Sequence, residues 1–91
     1  MRYHGGNRFG LSEDEQSLIY WKCRNYYRIS EQERRIIDAA VTECAAGSKR
    51  ALFEILTTGK SLTAVAMRHN ISESALLERC GKFYRRIAGK I

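Results

Sequence analysis

Ninety-one residues suffice for one compact domain and not for two, and a composition 44% hydrophobic and 29% charged excludes a disordered chain. The formal net charge of +6 is carried wholly by the second half: residues 1–45 hold seven Lys or Arg and seven Asp or Glu, residues 46–91 nine and three. Such a one-sided field points to a polyanion, chiefly nucleic acid or an acidic membrane surface.

The expected fold is all-α, a small single-domain bundle of about five helices with a helix-turn-helix near the carboxy terminus. Proline is absent, which suits unkinked helices and is unusual for a loop-rich sandwich. Residues 1–11, with Gly5, Gly6 and Gly10 and no apolar period, read as a flexible basic arm carrying Arg2, His4 and Arg8. Such an arm is either disordered or able to reach into a DNA groove. The helical domain then spans 12–91. Its first helix begins after Ser12, where SEDE is a capping box that also sets Glu13, Asp14 and Glu15 against the positive helix end. Leu18, Ile19, Cys23, Tyr26 and Tyr27 repeat at helical spacing, with Tyr20 and Trp21 widening the apolar face. Core packing or a dimer contact is the expected use of these aromatics, ahead of base stacking.

Ser30 opens a second capping box with Glu33. Ile36, Ile37, Ala40, Val41 and Cys44 form the clearest helical stripe in the chain, Glu31 and Arg35 can pair across one turn, and Gly47 can stop the helix. A third helix near 48–57 buries Leu52, Ile55 and Leu56 and ends at Gly59. A fourth, about 61–69, turns Leu62, Val65 and Ala66 inward. Asn70 tolerates a left-handed turn. Ser72 then caps a fifth helix, about 73–88, lined on its inner side by Leu76, Cys80, Tyr84 and Ile87 with Phe83 adjacent.

Residues 61–80, SLTAVAMRHNISESALLERC, have the build of a helix-turn-helix. Ala66 is the small residue where two helices cross, Ile71 plugs the corner, and Leu76 anchors the second helix. That geometry holds the second helix out as a ridge for the major groove. On these residues the stretch from Leu52 to Ile87 resembles region 4 of bacterial sigma factors, and more closely the phage late-gene activators related to it. The pattern falls on Gly59-Lys60-Ser61-Leu62-Thr63-Ala64-Val65-Ala66, then Ile71, Ser72 and Leu76, and on a basic tail at Lys82, Arg85 and Arg86. Two positions depart from it: Asn70 replaces the usual turn glycine, and Arg79 stands where a core hydrophobic is expected, its packing passing to Cys80 and Phe83. The resemblance implies binding to promoter DNA and contact with RNA polymerase.

The exposed face of the second helix is expected to present Glu73, Ser74, Leu77, Glu78 and Gly81. Candidate base contacts are Ser74, Leu77 (to a thymine methyl) and Glu78 (to cytosine N4). Candidate phosphate contacts are Lys49, Arg50, Lys60, Arg68, Arg79, Lys82, Arg85 and Arg86, since such contacts need only charge and reach. His69 is read as structural.

No glycine-rich phosphate loop, metal-binding His pair or nucleophile elbow is present, so neither enzyme activity, a cofactor nor a metal is expected. Cys23, Cys44 and Cys80 lack ligand spacing and read as core residues in a reducing compartment. No run approaches the ~18 apolar residues of a bilayer span, and MRYHGGNRFG has no apolar signal core. The expected protein is therefore a cytoplasmic transcriptional regulator of phage or mobile-element type, bound to double-stranded DNA, with RNA polymerase as a partner and the amino-terminal helices available for a homodimer. The alternative is an adaptor that binds polymerase, a sigma factor or another regulator through its helical surface; a third reading is a packaging or recombination accessory.

Overall fold

The computed structural model describes residues 9–91. Five helices follow in chain order, α1 (Glu13–Arg24), α2 (Glu31–Cys44), α3 (Lys49–Thr58), α4 (Leu62–Arg68) and α5 (Glu73–Ile87), with no strand among the described residues. The expected five-helix all-α bundle is what forms. Its radius of gyration, 12.0 Å, is close to the ~12 Å of a compact chain of this length.

Serine sets four of the five starts. The Oγ of Ser12, Ser30, Ser61 and Ser72 accepts from the backbone N–H three residues on, at 3.1–3.2 Å. Glu15 and Glu33 reach back to the capping backbone, so both expected capping boxes close. Only α3 starts without a side-chain cap: the φ of Ser48 is −112° and its hydroxyl makes no capping bond. Left-handed residues follow α2 (Ala46 and Gly47), α3 (Gly59) and α4 (Asn70), whereas α1 ends at Asn25 with φ −107°.

Helix α5 is the central strut, in contact with each of the other four helices and most extensively with α2. Its Leu76, Cys80, Phe83, Tyr84 and Ile87 are all buried. They meet Ile37, Ala40, Val41 and Cys44 of α2, Ala51, Leu52, Ile55 and Leu56 of α3, and Val65 and Ala66 of α4 in one core. An Arg86–Glu43 ion pair ties α5 to α2 at the surface.

Helix α1 departs from expectation. Its buried positions are Gln16, Ile19 and Cys23. Leu18 and Trp21 stand on the opposite side at 45% and 59% exposure, because residues two and five after Gln16 fall well round the helix from the 16–19–23 stripe. Tyr26 and Tyr27 lie past the helix end. Tyr26 meets Phe53 edge-on at 5.0 Å and donates to Asp38 at 2.7 Å; burial and that carboxylate push its phenol up to about 12. Tyr27 is exposed. The helix therefore does not carry one continuous aromatic face.

Of the expected arm, residues 1–8 lie outside the described residues, while Phe9 and Leu11 pack on the body. Phe9 is buried with its ring 4.7 Å from that of Tyr84. Leu11 packs against the core, and its carbonyl accepts from Gln16 Nε2 at 3.1 Å. Cys23, Cys44 and Cys80 are free and buried. Burial, with Cys80 beside it, pushes the Cys23 thiol up to about 12, so it remains a protonated apolar group at neutral pH.

Candidate nucleic-acid interface

The α4–α5 connection is four residues, 69–72. It opens as a Schellman turn: Ile71 N–H donates to the Ala66 carbonyl at 3.0 Å and Asn70 N–H to that of Met67 at 3.3 Å. Asn70 takes the left-handed position with φ 55°, a place asparagine fills at lower cost than most side chains. Ile71 then packs against the core, and Ser72 restarts the chain as the α5 cap. Ala66 is buried, and Ile71 packs at the corner between α4 and α5.

On α5 the outward stripe is Ser74, Glu78 and Arg85, spaced i, i+4, i+11, with Glu73 and Lys82 also exposed. Leu77 is half-buried against the core. Gly81, expected on the open face, is buried: a Cβ there would stand 3.2 Å from Phe9 Cδ1 and 3.2 Å from an Arg85 guanidinium nitrogen. The amino-terminal segment covers this point because glycine leaves room for the Phe9 ring. Phe9, Ser74, Leu77, Glu78, Gly81 and Arg85 line a shallow concavity of about 500 Å³. Two of the three base-contact candidates, Ser74 and Glu78, therefore share an open surface, and Leu77 lies in its wall.

The eight phosphate-contact candidates divide by what else holds them. Lys49 and Arg50 at the start of α3, and Lys82 and Arg85 on α5, are exposed; no ion pair is recorded for these four among the described residues. Lys60 and Arg68 converge on Glu54, at 3.1 and 3.6 Å. Arg86 pairs with Glu43. Arg79 is half-buried, its Nε and one terminal nitrogen enclosed without a hydrogen-bond partner.

Glu54 is the organising group of this cluster, its side chain 14% exposed. One carboxylate oxygen sits 2.7 Å from His69 Nε2, the other near Lys60 and Arg68. The hydrogen bond from His69, then that from Lys60, with the Arg68 charge adding, holds its carboxyl down at about 2. The cluster fastens α3 to the end of α4 and gives His69 its structural role. A signal was present: Glu54 is the only acid between Cys44 and Glu73, surrounded in sequence by cations.

Among the described residues no group of three or more His, Cys, Asp or Glu could hold a metal ion, and no helix is long and apolar enough to cross a membrane. Comparison with protein-family models, with curated proteins and with solved structures finds no match for this chain.

Proposed function

We propose that the protein is a double-stranded DNA-binding transcriptional regulator that lays α5 in the major groove. The observation that carries the reading is the α4–turn–α5 unit: a Schellman turn through Asn70, a serine-capped second helix, and an open Ser74–Glu78–Arg85 stripe on the back of a helix whose other side is core. The resemblance of 52–87 to sigma region 4 and the basic second half support it. Ser74 and Glu78 are the base readers, Leu77 a thymine-methyl contact, and Lys49, Arg50, Lys82 and Arg85 the phosphate contacts. The protein acts without catalysis or cofactor, in the cytoplasm of a bacterial or phage-infected cell, beside RNA polymerase.

Mobility shifts and footprinting on DNA upstream of its own gene test this. A protected site is expected, bound more tightly than scrambled DNA. With four phosphate contacts, log K should fall against log salt with a slope of about −3.6. Equal, weak binding to every duplex at physiological salt would overturn the regulator claim.

A second reading has its own observation. Leu18 and Trp21, one helical turn apart on α1, are large apolar side chains open to solvent. An adaptor that binds polymerase, a sigma factor or another regulator would use that pair. Capture of such a partner, lost in Trp21→Ala and kept in an Arg85→Ala/Lys82→Ala double variant that no longer binds DNA, would favour it.

A further inference from the structure

Helix α1 packs on α3 and α5 and buries Gln16, Ile19 and Cys23. Its opposite side carries a second pattern. Asp14, Leu18, Trp21, Asn25 and Arg28 follow one another at steps of four, three, four and three, the spacing of a seam along which two helices pair. The middle of this seam is apolar and open, at Leu18 and Trp21. Its ends carry opposite charges, Asp14 in the first turn and Arg28 just past the helix. Both are exposed, and no ion pair is recorded for either among the described residues. The turn continues beyond Arg24: Asn25 N–H donates to the Trp21 carbonyl at 3.0 Å, and Ile29 N–H to that of Asn25 at 3.1 Å.

The charges say what fits this side. Asp14 and Arg28 stand seven residues to either side of Trp21, about 10.5 Å along a helix in each direction. A twofold axis beside Trp21 lays a second α1 antiparallel on the first. Asp14 of each copy then faces Arg28 of the other, while Leu18 and Trp21 of both copies meet in the middle, as an isologous contact requires. The helix dipoles are opposed in this arrangement, which is favourable. A parallel pair would set Asp14 against Asp14 and Arg28 against Arg28. The seam carries one acid and one base, so it has no net charge to offer a polyanion; it complements itself.

We propose that the protein forms a twofold homodimer by antiparallel pairing of α1, with Leu18 and Trp21 at its centre and an Asp14–Arg28 pair at each end. A second copy of the chain thus takes the apolar pair that the adaptor reading gives to polymerase or a sigma factor. The pairing stands independently of DNA binding. One helix face is a small interface, so the dimer forms at micromolar concentration and the monomer is itself folded.

Sedimentation equilibrium of the full chain without DNA, from about 1 to 500 µM, tests this. The mass should rise from the 10.5 kDa of one chain towards twice that value. Trp21→Ala should weaken association about tenfold or more. Asp14→Arg and Arg28→Asp should each weaken it about tenfold, because each sets like charges together at both ends. The double variant Asp14→Arg/Arg28→Asp rebuilds both pairs with the signs exchanged, and should return to within about twofold of the parent. Circular dichroism checks that each variant is folded; the charge variants alter only exposed groups and decide the matter should Trp21→Ala unfold. A parent that keeps the mass of one chain throughout overturns the proposal, and if it then captures polymerase or a sigma factor through Trp21 the adaptor reading takes its place. Association that survives Trp21→Ala puts the interface elsewhere and also overturns it. So do single charge variants as tight as the parent, or a double variant as weak as the singles.

Discussion

Glu54 holds together Lys60, Arg68 and His69 from two other segments. Its carboxyl sits at about 2 against the ordinary glutamate value of 4.5. A depressed folded-state value means that the unfolded chain takes up the proton first as pH falls. The stabilisation from this cluster is complete above 4.5 and is lost as pH falls towards 2. Glu54→Gln should therefore be less stable than the parent at neutral pH, with the difference shrinking across that interval; urea titrations at several pH values measure it. A gap that stays constant down to pH 2 would show that Glu54 acts by packing alone. Gly59 is constrained twice, by φ 76° and by the Arg24 guanidinium, which would lie 2.6 Å from an added Cβ. Gly59→Ala should cost about 1–2 kcal/mol from the left-handed backbone alone, read as a lowered urea midpoint with an unchanged slope.

The elements show which parts of the structure local sequence encodes. Serine caps at Ser12, Ser30 and Ser72 were legible because each bond closes within three residues. Losing the last should matter at two levels: Ser72→Ala is expected to cost about 1 kcal/mol, or about 4–8 °C in Tm for a domain of this size, with the loss concentrated at the α5 start in hydrogen exchange. The α2 and α5 stripes were legible because one helix supplies the whole pattern. The end of α1 was not, since neither glycine nor proline marks Asn25, and the apolar period of the sequence runs on through Tyr26 and Tyr27. Trp21 was misplaced for the same reason: a longer imagined helix offered a broader buried face than the 16–19–23 stripe supplies.

Across the whole molecule, what escaped the sequence is contact between distant segments. Phe9 is one apolar residue among glycines, and its partner Tyr84 is 75 positions away; nothing local distinguishes it from a tail residue. Gln16 is buried because Leu11 presents a carbonyl to it, which only the folded arm creates. The division of the basic residues is likewise tertiary, for Glu54 and Glu43 claim Lys60, Arg68 and Arg86 and leave others open. Because α5 touches every other helix, anything that binds it should stabilise the entire bundle. Under the proposed function, specific duplex at a hundredfold excess over Kd should add about 2.7 kcal/mol, seen as slower hydrogen exchange in α2 and α3 as well as in α5. Slowing confined to α5 would mean that the bundle does not open as a unit.

The two stripes of α5 share no residue: 76, 80, 83, 84 and 87 face inward, while 74, 78 and 85 face out. In inheritance these are separate ledgers. Mutations at Ser74, Glu78 or Arg85 can drift without passing through an unfolded ancestor, because the core holds the helix in place whatever they become. Under the proposed DNA-binding role, a lineage carrying this bundle could acquire a new target site by single steps on one face of one helix. Libraries randomised at these three positions should yield mostly folded variants, whereas libraries at Leu76, Cys80 and Phe83 should not.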